Sequence, residues 1–245
     1  MWIPVWTKQH GAYVMLIASW IIAVLLGQNV SSVHFVILVF LLAGLNATDL
    51  SATLWKRKSK PSDREKLWLG IYSALSVVLM IYLLKETETL RYILPVCLLG
   101  GLIFIILAKL RLQKSIPAEW LIFSLITLSG LSAYHPNDAI NFSFISGLWL
   151  MLSLYFGFSI FIVKFRIGEV TAKQILLYLF ASGAIFTGCF DGYLVPYFIF
   201  GLMVLKSVIV LFRTEWFILL KLKYIGMLET FYTLMMIVFF TFSNG

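Results

Sequence analysis

The chain has 245 residues, of which 61% are hydrophobic and 12% charged, and it carries a net charge of +8 at pH 7. A soluble globular domain is about half apolar and about a quarter charged, so this composition excludes one. The positive charge does not mark a nucleic-acid binder, because it sits in short segments between apolar runs with no DNA- or RNA-binding motif beside it.

Runs of about 18 or more apolar residues, the length that spans a bilayer, recur from end to end. Backbone groups in lipid must bond to one another, which leaves helices or a closed barrel. The runs are long and lack the short alternation of barrel strands. The expectation is an all-α polytopic membrane protein, with residues 1–245 forming a single transmembrane helical domain.

Nine spans follow in chain order, with bounds good to about two to four residues. They are His10 to Leu26, Ser32 to Leu54, Leu67 to Leu84, Tyr92 to Ala108, and Ala118 to Tyr134 behind Pro117. Phe144 to Val163, Gln174 to Phe190, Leu194 to Phe212 and Tyr224 to Phe242 complete the set. The first reads as a retained span rather than a cleaved signal, since Lys8 is the only basic side chain before it and the small-residue pattern after it is weak.

Strict alternation of nine spans puts sixteen basic residues on the side of the N-terminus and only Lys85 and Arg91 on the other, with Lys206 inside the eighth span. Basic loops stay in the cytoplasm. The expectation is therefore a multi-pass protein of the cell membrane, N-terminus inside and C-terminus outside.

Polar residues inside the spans gather toward the basic side. Asn46, Asp49, Thr53 and Arg57 are spaced 3, 4 and 4 apart, one stripe on a helix. Asp49 serves there either as interhelical hydrogen-bond glue or as a ligand-binding group. Ser153, Gly157 and Lys164 share a face of the sixth span, and Arg166 follows. Lys206 and Glu229 come to similar depth in antiparallel spans eight and nine, roughly 10 Å in at 1.5 Å per residue. They form either a structural ion pair or part of a polar cavity. His10 opens the first span beside Lys8 and Gln9. The basic run Lys56 to Lys66 sets topology and contacts anionic lipid, and Arg forks also match phosphate oxygens. Cys97 and Cys189 read as small hydrophobes. No serine-hydrolase, zinc-protease, P-loop or dinucleotide motif is present, and no metal site is expected.

Three segments together resemble the YwiC-like family of bacterial membrane proteins. They are Lys8-Gln9-His10-Gly11-Ala12-Tyr13, where the family more often has tryptophan at the last position; Tyr155-Phe156-Gly157 running into Val163 to Glu169; and Lys223 to Glu229. The resemblance implies no particular reaction. More distantly the chain is similar to the UbiA prenyltransferase superfamily, which implies a nine-helix bundle with a polar cavity facing the cytoplasm. The superfamily's first signature, an asparagine followed by aspartates and a basic tail, is matched by Asn46, Asp49 and Lys56 to Lys60. Only one aspartate is present, and Lys164 and Arg166 stand where the second acidic signature belongs. Magnesium is implied only if that likeness holds, and bridging a diphosphate through magnesium needs several carboxylates.

Three functions remain open. The first is a UbiA-like transferase, or a relative lacking its full aspartate motifs, that binds or processes an anionic lipid or prenyl phosphate through Asn46, Asp49, Arg57, Lys164 and Arg166. The second is a small-molecule or ion transporter whose charged path is His10, Asp49, Lys206 and Glu229. The third is a non-enzymatic membrane accessory subunit.

Overall fold

The computed structural model describes residues 4–5, 10–27, 30–56, 60–112, 114–134, 141–190 and 194–243, with side chains for all of these except His10, Lys56 and Ala108. Among the described residues the chain forms ten α-helices and no strand. They are α1 (His10–Gly27), α2 (Ser32–Lys56), α3 (Asp63–Glu86), α4 (Glu88–Lys109), α5 (Ile116–Leu131), α6 (Phe142–Arg166), α7 (Ala172–Cys189), α8 (Leu194–Phe212), α9 (Thr214–Leu219) and α10 (Leu222–Ser243). Seven of them, α2, α3, α4, α6, α7, α8 and α10, are long and apolar enough to cross a bilayer. The helix α1 is apolar over Gly11–Gly27, and α5 is apolar but shorter, at 16 residues. This is the architecture of a polytopic membrane protein.

Several helices extend past their apolar runs because polar residues cap them. The first turn of α3 is charged, yet helical: the Ser62 hydroxyl accepts from the Glu65 backbone N–H at 3.3 Å, and the Glu65 carboxylate accepts from the Ser62 N–H at 2.9 Å. Thr171 and Gln174 do the same for α7. In contrast, α5 stops at Leu131, short of the expected Tyr134. Ser132, Ala133 and Tyr134 bond back three residues, to Ser129, Gly130 and Leu131, in a tightened last turn. The six-residue α9 was not expected, since so short a segment has no room for an apolar period.

Five helices close a ring by contact: α1 packs on α5, α5 on α6, α6 on α8, α8 on α10, and α10 back on α1. Outside it, α2 joins α1 and α3, α4 joins α3 and α5, and α7 joins α6 and α8. Of the most apolar stretch of α6, 67% is buried, against 11% for α3. So α6 meets protein on nearly every side, while α3 leaves most of its surface for lipid. The helices α1 and α5 approach closely because position 130 is glycine. A Cβ there would lie 2.5 Å from Ser19 Cβ and 3.0 Å from the Leu16 carbonyl oxygen.

Hydrogen bonds tie the connections together at each end of the bundle. At the basic end, Arg64 donates to the Pro4 carbonyl at 3.2 Å, Tyr72 to the Val5 carbonyl at 3.2 Å, Lys164 to the Lys114 carbonyl at 2.9 Å, and Arg166 to the Leu220 carbonyl at 2.7 Å. At the opposite end Thr89 donates to the Tyr134 carbonyl at 2.7 Å, and Trp20 to the His34 carbonyl at 2.9 Å. Arg91, one of the two basic residues there, is spent on the last carbonyls of α3, Leu84 and Lys85.

Candidate functional site

Lys206 and Glu229 meet inside the ring. Lys206 lies six residues before the end of α8, Glu229 seven after the start of α10, and Ser159 seven before the end of α6. At 1.5 Å per residue all three sit about 10 Å below the basic end of the bundle. The Lys206 Nζ is 2.6 Å from Glu229 Oε2. The Ser159 hydroxyl donates to the same oxygen at 2.6 Å.

Burial of the pair is unequal. The Lys206 side chain is 2% exposed and that of Glu229 21%. The ammonium also lies against two aromatic faces, 4.2 Å from the Tyr155 ring centroid and 5.2 Å from that of Tyr232. Both distances are within cation–π range, and desolvation strengthens the attraction. The Tyr155 hydroxyl, fully buried, faces Lys206 and Thr233. Chemically this is a neutral centre of one cation and one carboxylate, walled by aromatic rings, in a place where charge is costly.

A second cluster forms at the end of α6. Lys164 is buried; its ammonium contacts Glu169 Oε2 at 2.7 Å, Glu119 Oε2 at 3.5 Å and the Lys114 carbonyl at 2.9 Å. It clamps the α4–α5 connection to the α6–α7 connection. Arg166 does similar work beside it, binding the carbonyl that ends α9. Just inside, Gly157 leaves room for Trp120, whose indole N–H donates to the Tyr178 hydroxyl at 3.3 Å.

A third group joins α1 to α2. Buried Asn46 accepts from the Tyr13 hydroxyl at 2.7 Å and donates to the Leu42 carbonyl at 2.7 Å. Asp49 is half-buried one turn further along α2. Arg57, with Lys8 and Gln9, lies outside the described residues, and so does the side chain of His10, which opens α1.

The candidate residues that the structure describes are therefore not gathered in one place. Lys206 pairs with Glu229. Lys164 and Asn46 belong to separate clusters with different partners. Of the two cavities described, one is a groove along α3 between Asp63 and Ala74, and the other, of about 360 Å³, lies between α4, α5 and α6 around Tyr92 and Trp149. Neither is lined by any of the candidates whose side chains are described. Among the described residues no group of His, Cys, Asp or Glu side chains is placed to hold a metal ion, so the donor set does not fit a magnesium-bridged diphosphate.

Sequence reasoning passed over Ser159 and Tyr232, and took Tyr155 only as part of the YwiC-like resemblance. A signal was there: Tyr155 and Ser159 are four apart on α6, and Tyr232 follows Glu229 by three on α10, so each pair shares a face. Aromatic residues in an apolar run ordinarily read as core.

The family model of the YwiC-like protein matches residues 7–134. The chain belongs to the YwiC-like family. That match includes the Lys8 to Tyr13 segment, Asn46 and the α3 connection, whereas Lys206 and Glu229 fall beyond it. No curated protein and no solved structure matches the chain. The YwiC-like assignment and the apolar helices together make this a multi-pass membrane protein.

Proposed function

We propose that this protein is a carrier of a small cation, the proton included, working through the Lys206–Glu229 pair. The observation that carries the reading is the buried ion pair itself. Two ionised groups held about 10 Å inside a membrane bundle cost more than apolar residues of the same volume would, and intramembrane charges of this kind mark ion pathways. The unequal burial supports the same reading, since the carboxylate is the more exposed member of the pair. With a hydrocarbon core of about 30 Å, the pair stands some two-thirds of the way to the midplane, where carriers hold their ligands.

The setting we propose is a nine-span bundle in the cell membrane, with the 16-residue α5 as its shortest span. Its basic end faces the cytoplasm, following the charge asymmetry of the loops. Reporter fusions test the topology: alkaline phosphatase should be active on the C-terminus and inactive in the α2–α3 connection. The reverse pattern, or activity at both positions, overturns the nine-span count or its orientation.

Transport is tested in proteoliposomes carrying a trapped pH dye, with an imposed potassium diffusion potential and methylammonium, sodium or no added cation outside. The wild-type protein should carry current or protons under at least one condition, and Glu229→Gln should reduce that flux at least tenfold. No flux in the wild type, or equal flux in Glu229→Gln, overturns the carrier reading.

A further inference from the structure

Tyr155, Ser159, Tyr232 and Glu229 all come from α6 and α10, while Lys206 is the only member of the cluster from α8. Without Lys206, what remains is a carboxylate held by a serine hydroxyl and flanked by two tyrosine faces, one of them fully buried. That is the composition of a cation-recognition site. The carboxylate supplies one unit of charge, the rings supply quadrupoles, and the serine fixes one carboxylate oxygen. The ammonium of Lys206 occupies this site as a ligand would, 2.6 Å from the carboxylate and 4.2 Å from the nearer ring centroid. The buried Tyr155 hydroxyl puts a further polar atom next to that cation.

We infer that Glu229, Ser159, Tyr155 and Tyr232 form a binding site for a monovalent cation of the primary-ammonium class, with Lys206 as its tethered resident. This inference rests on the carrier reading and gives it a substrate class: a cation that takes the place of the Lys206 ammonium on Glu229. Association of such a ligand forms no covalent bond. It exchanges one cation for another, and Lys206 keeps its charge by withdrawing its long stem toward the basic end of α8.

The test is chemical rescue. Lys206→Ala removes the atoms of n-propylammonium from the site, so the variant, purified in nanodiscs, should unfold at a lower temperature than the wild type. Titration with n-propylammonium chloride should restore at least half of that loss in a saturable way. Tetrapropylammonium and sodium chloride at equal ionic strength should not. The double variant Lys206→Ala/Glu229→Gln should show no rescue. Rescue by every salt alike, rescue surviving in the double variant, or no rescue at all overturns the inference.

If Lys206→Ala does not accumulate in membranes, Lys206→Met keeps most of the stem and leaves the carboxylate without its ammonium. Ammonium chloride should then raise its unfolding temperature saturably, and that effect should vanish in Lys206→Met/Glu229→Gln. A flat response in both variants overturns the inference equally. The two proposals fail separately: rescue without flux in liposomes removes the carrier and leaves the cation site, whereas flux without rescue removes the site and leaves the carrier.

Discussion

Glu229→Gln is expected to destabilise the protein more than Lys206→Met, although both break the same ion pair. Removing one partner of a buried pair costs about 3–5 kcal/mol, chiefly because the other charge stays buried and alone. Here the stranded charge differs between the two variants. Glu229→Gln leaves an ammonium that is 2% exposed, whereas Lys206→Met leaves a carboxylate that is 21% exposed and still accepts from Ser159. The first should fall near the upper end of that range and the second below it. The double variant Lys206→Met/Glu229→Leu should recover most of the loss, because well-packed apolar pairs replace buried ion pairs at about equal or better stability. Reversible unfolding in mixed micelles measures all three. Equal losses in the single variants with no recovery in the double would show that the pair is not the isolated unit the geometry describes.

The second large effect is expected at Gly130. The atoms that a Cβ there would meet include the Leu16 carbonyl oxygen at 3.0 Å and the Trp20 backbone nitrogen at 3.1 Å, so α1 cannot yield by a change of rotamer. Gly130→Val should force the two helices apart at a cost of about 1–3 kcal/mol, the range for overpacking a tight core. Gly101, with nothing near its Cβ position, serves as the control within an apolar helix, and Gly101→Ala should be stabilising, by up to about 1 kcal/mol. Comparing their unfolding midpoints in the same micelles checks the difference. A Gly130→Val protein as stable as the control would mean that the α1–α5 contact carries little of the fold.

The apolar segments were legible because lipid imposes one demand, internal hydrogen bonding, and meets it with long apolar helices. The bounds were less so. The first turn of α3 is Asp-Arg-Glu-Lys, which an apolar count discards and a Ser62–Glu65 capping box keeps. The Lys206–Glu229 pair could be anticipated because its members sit at matched distances from one connection in antiparallel neighbours. The partners of Lys164 could not. Glu119 and Glu169 come from two other segments, and which helices lie together is a property of the packing. As a result, a lysine read as a ligand for a lipid phosphate is found occupied by two carboxylates and a carbonyl. The UbiA-derived grouping also assumed that helices two and six present their polar ends to one space. In the structure Asn46 bonds to α1, and Lys164 to the connections around α5 and α7.

The order of the ion pair along the chain bears on biosynthesis. Lys206 is translated 23 residues before Glu229, so α8 reaches the membrane carrying a cation whose counter-charge does not yet exist. Six residues from the basic end, that ammonium can stay at the interface on its extended stem until α10 emerges. The short α9, pinned at its end by Arg166, turns the chain back so that α10 arrives beside α8. If the two helices insert as one hairpin, the charge enters the bilayer already neutralised by Glu229, with Ser159 and Tyr155 of the earlier α6 beside it.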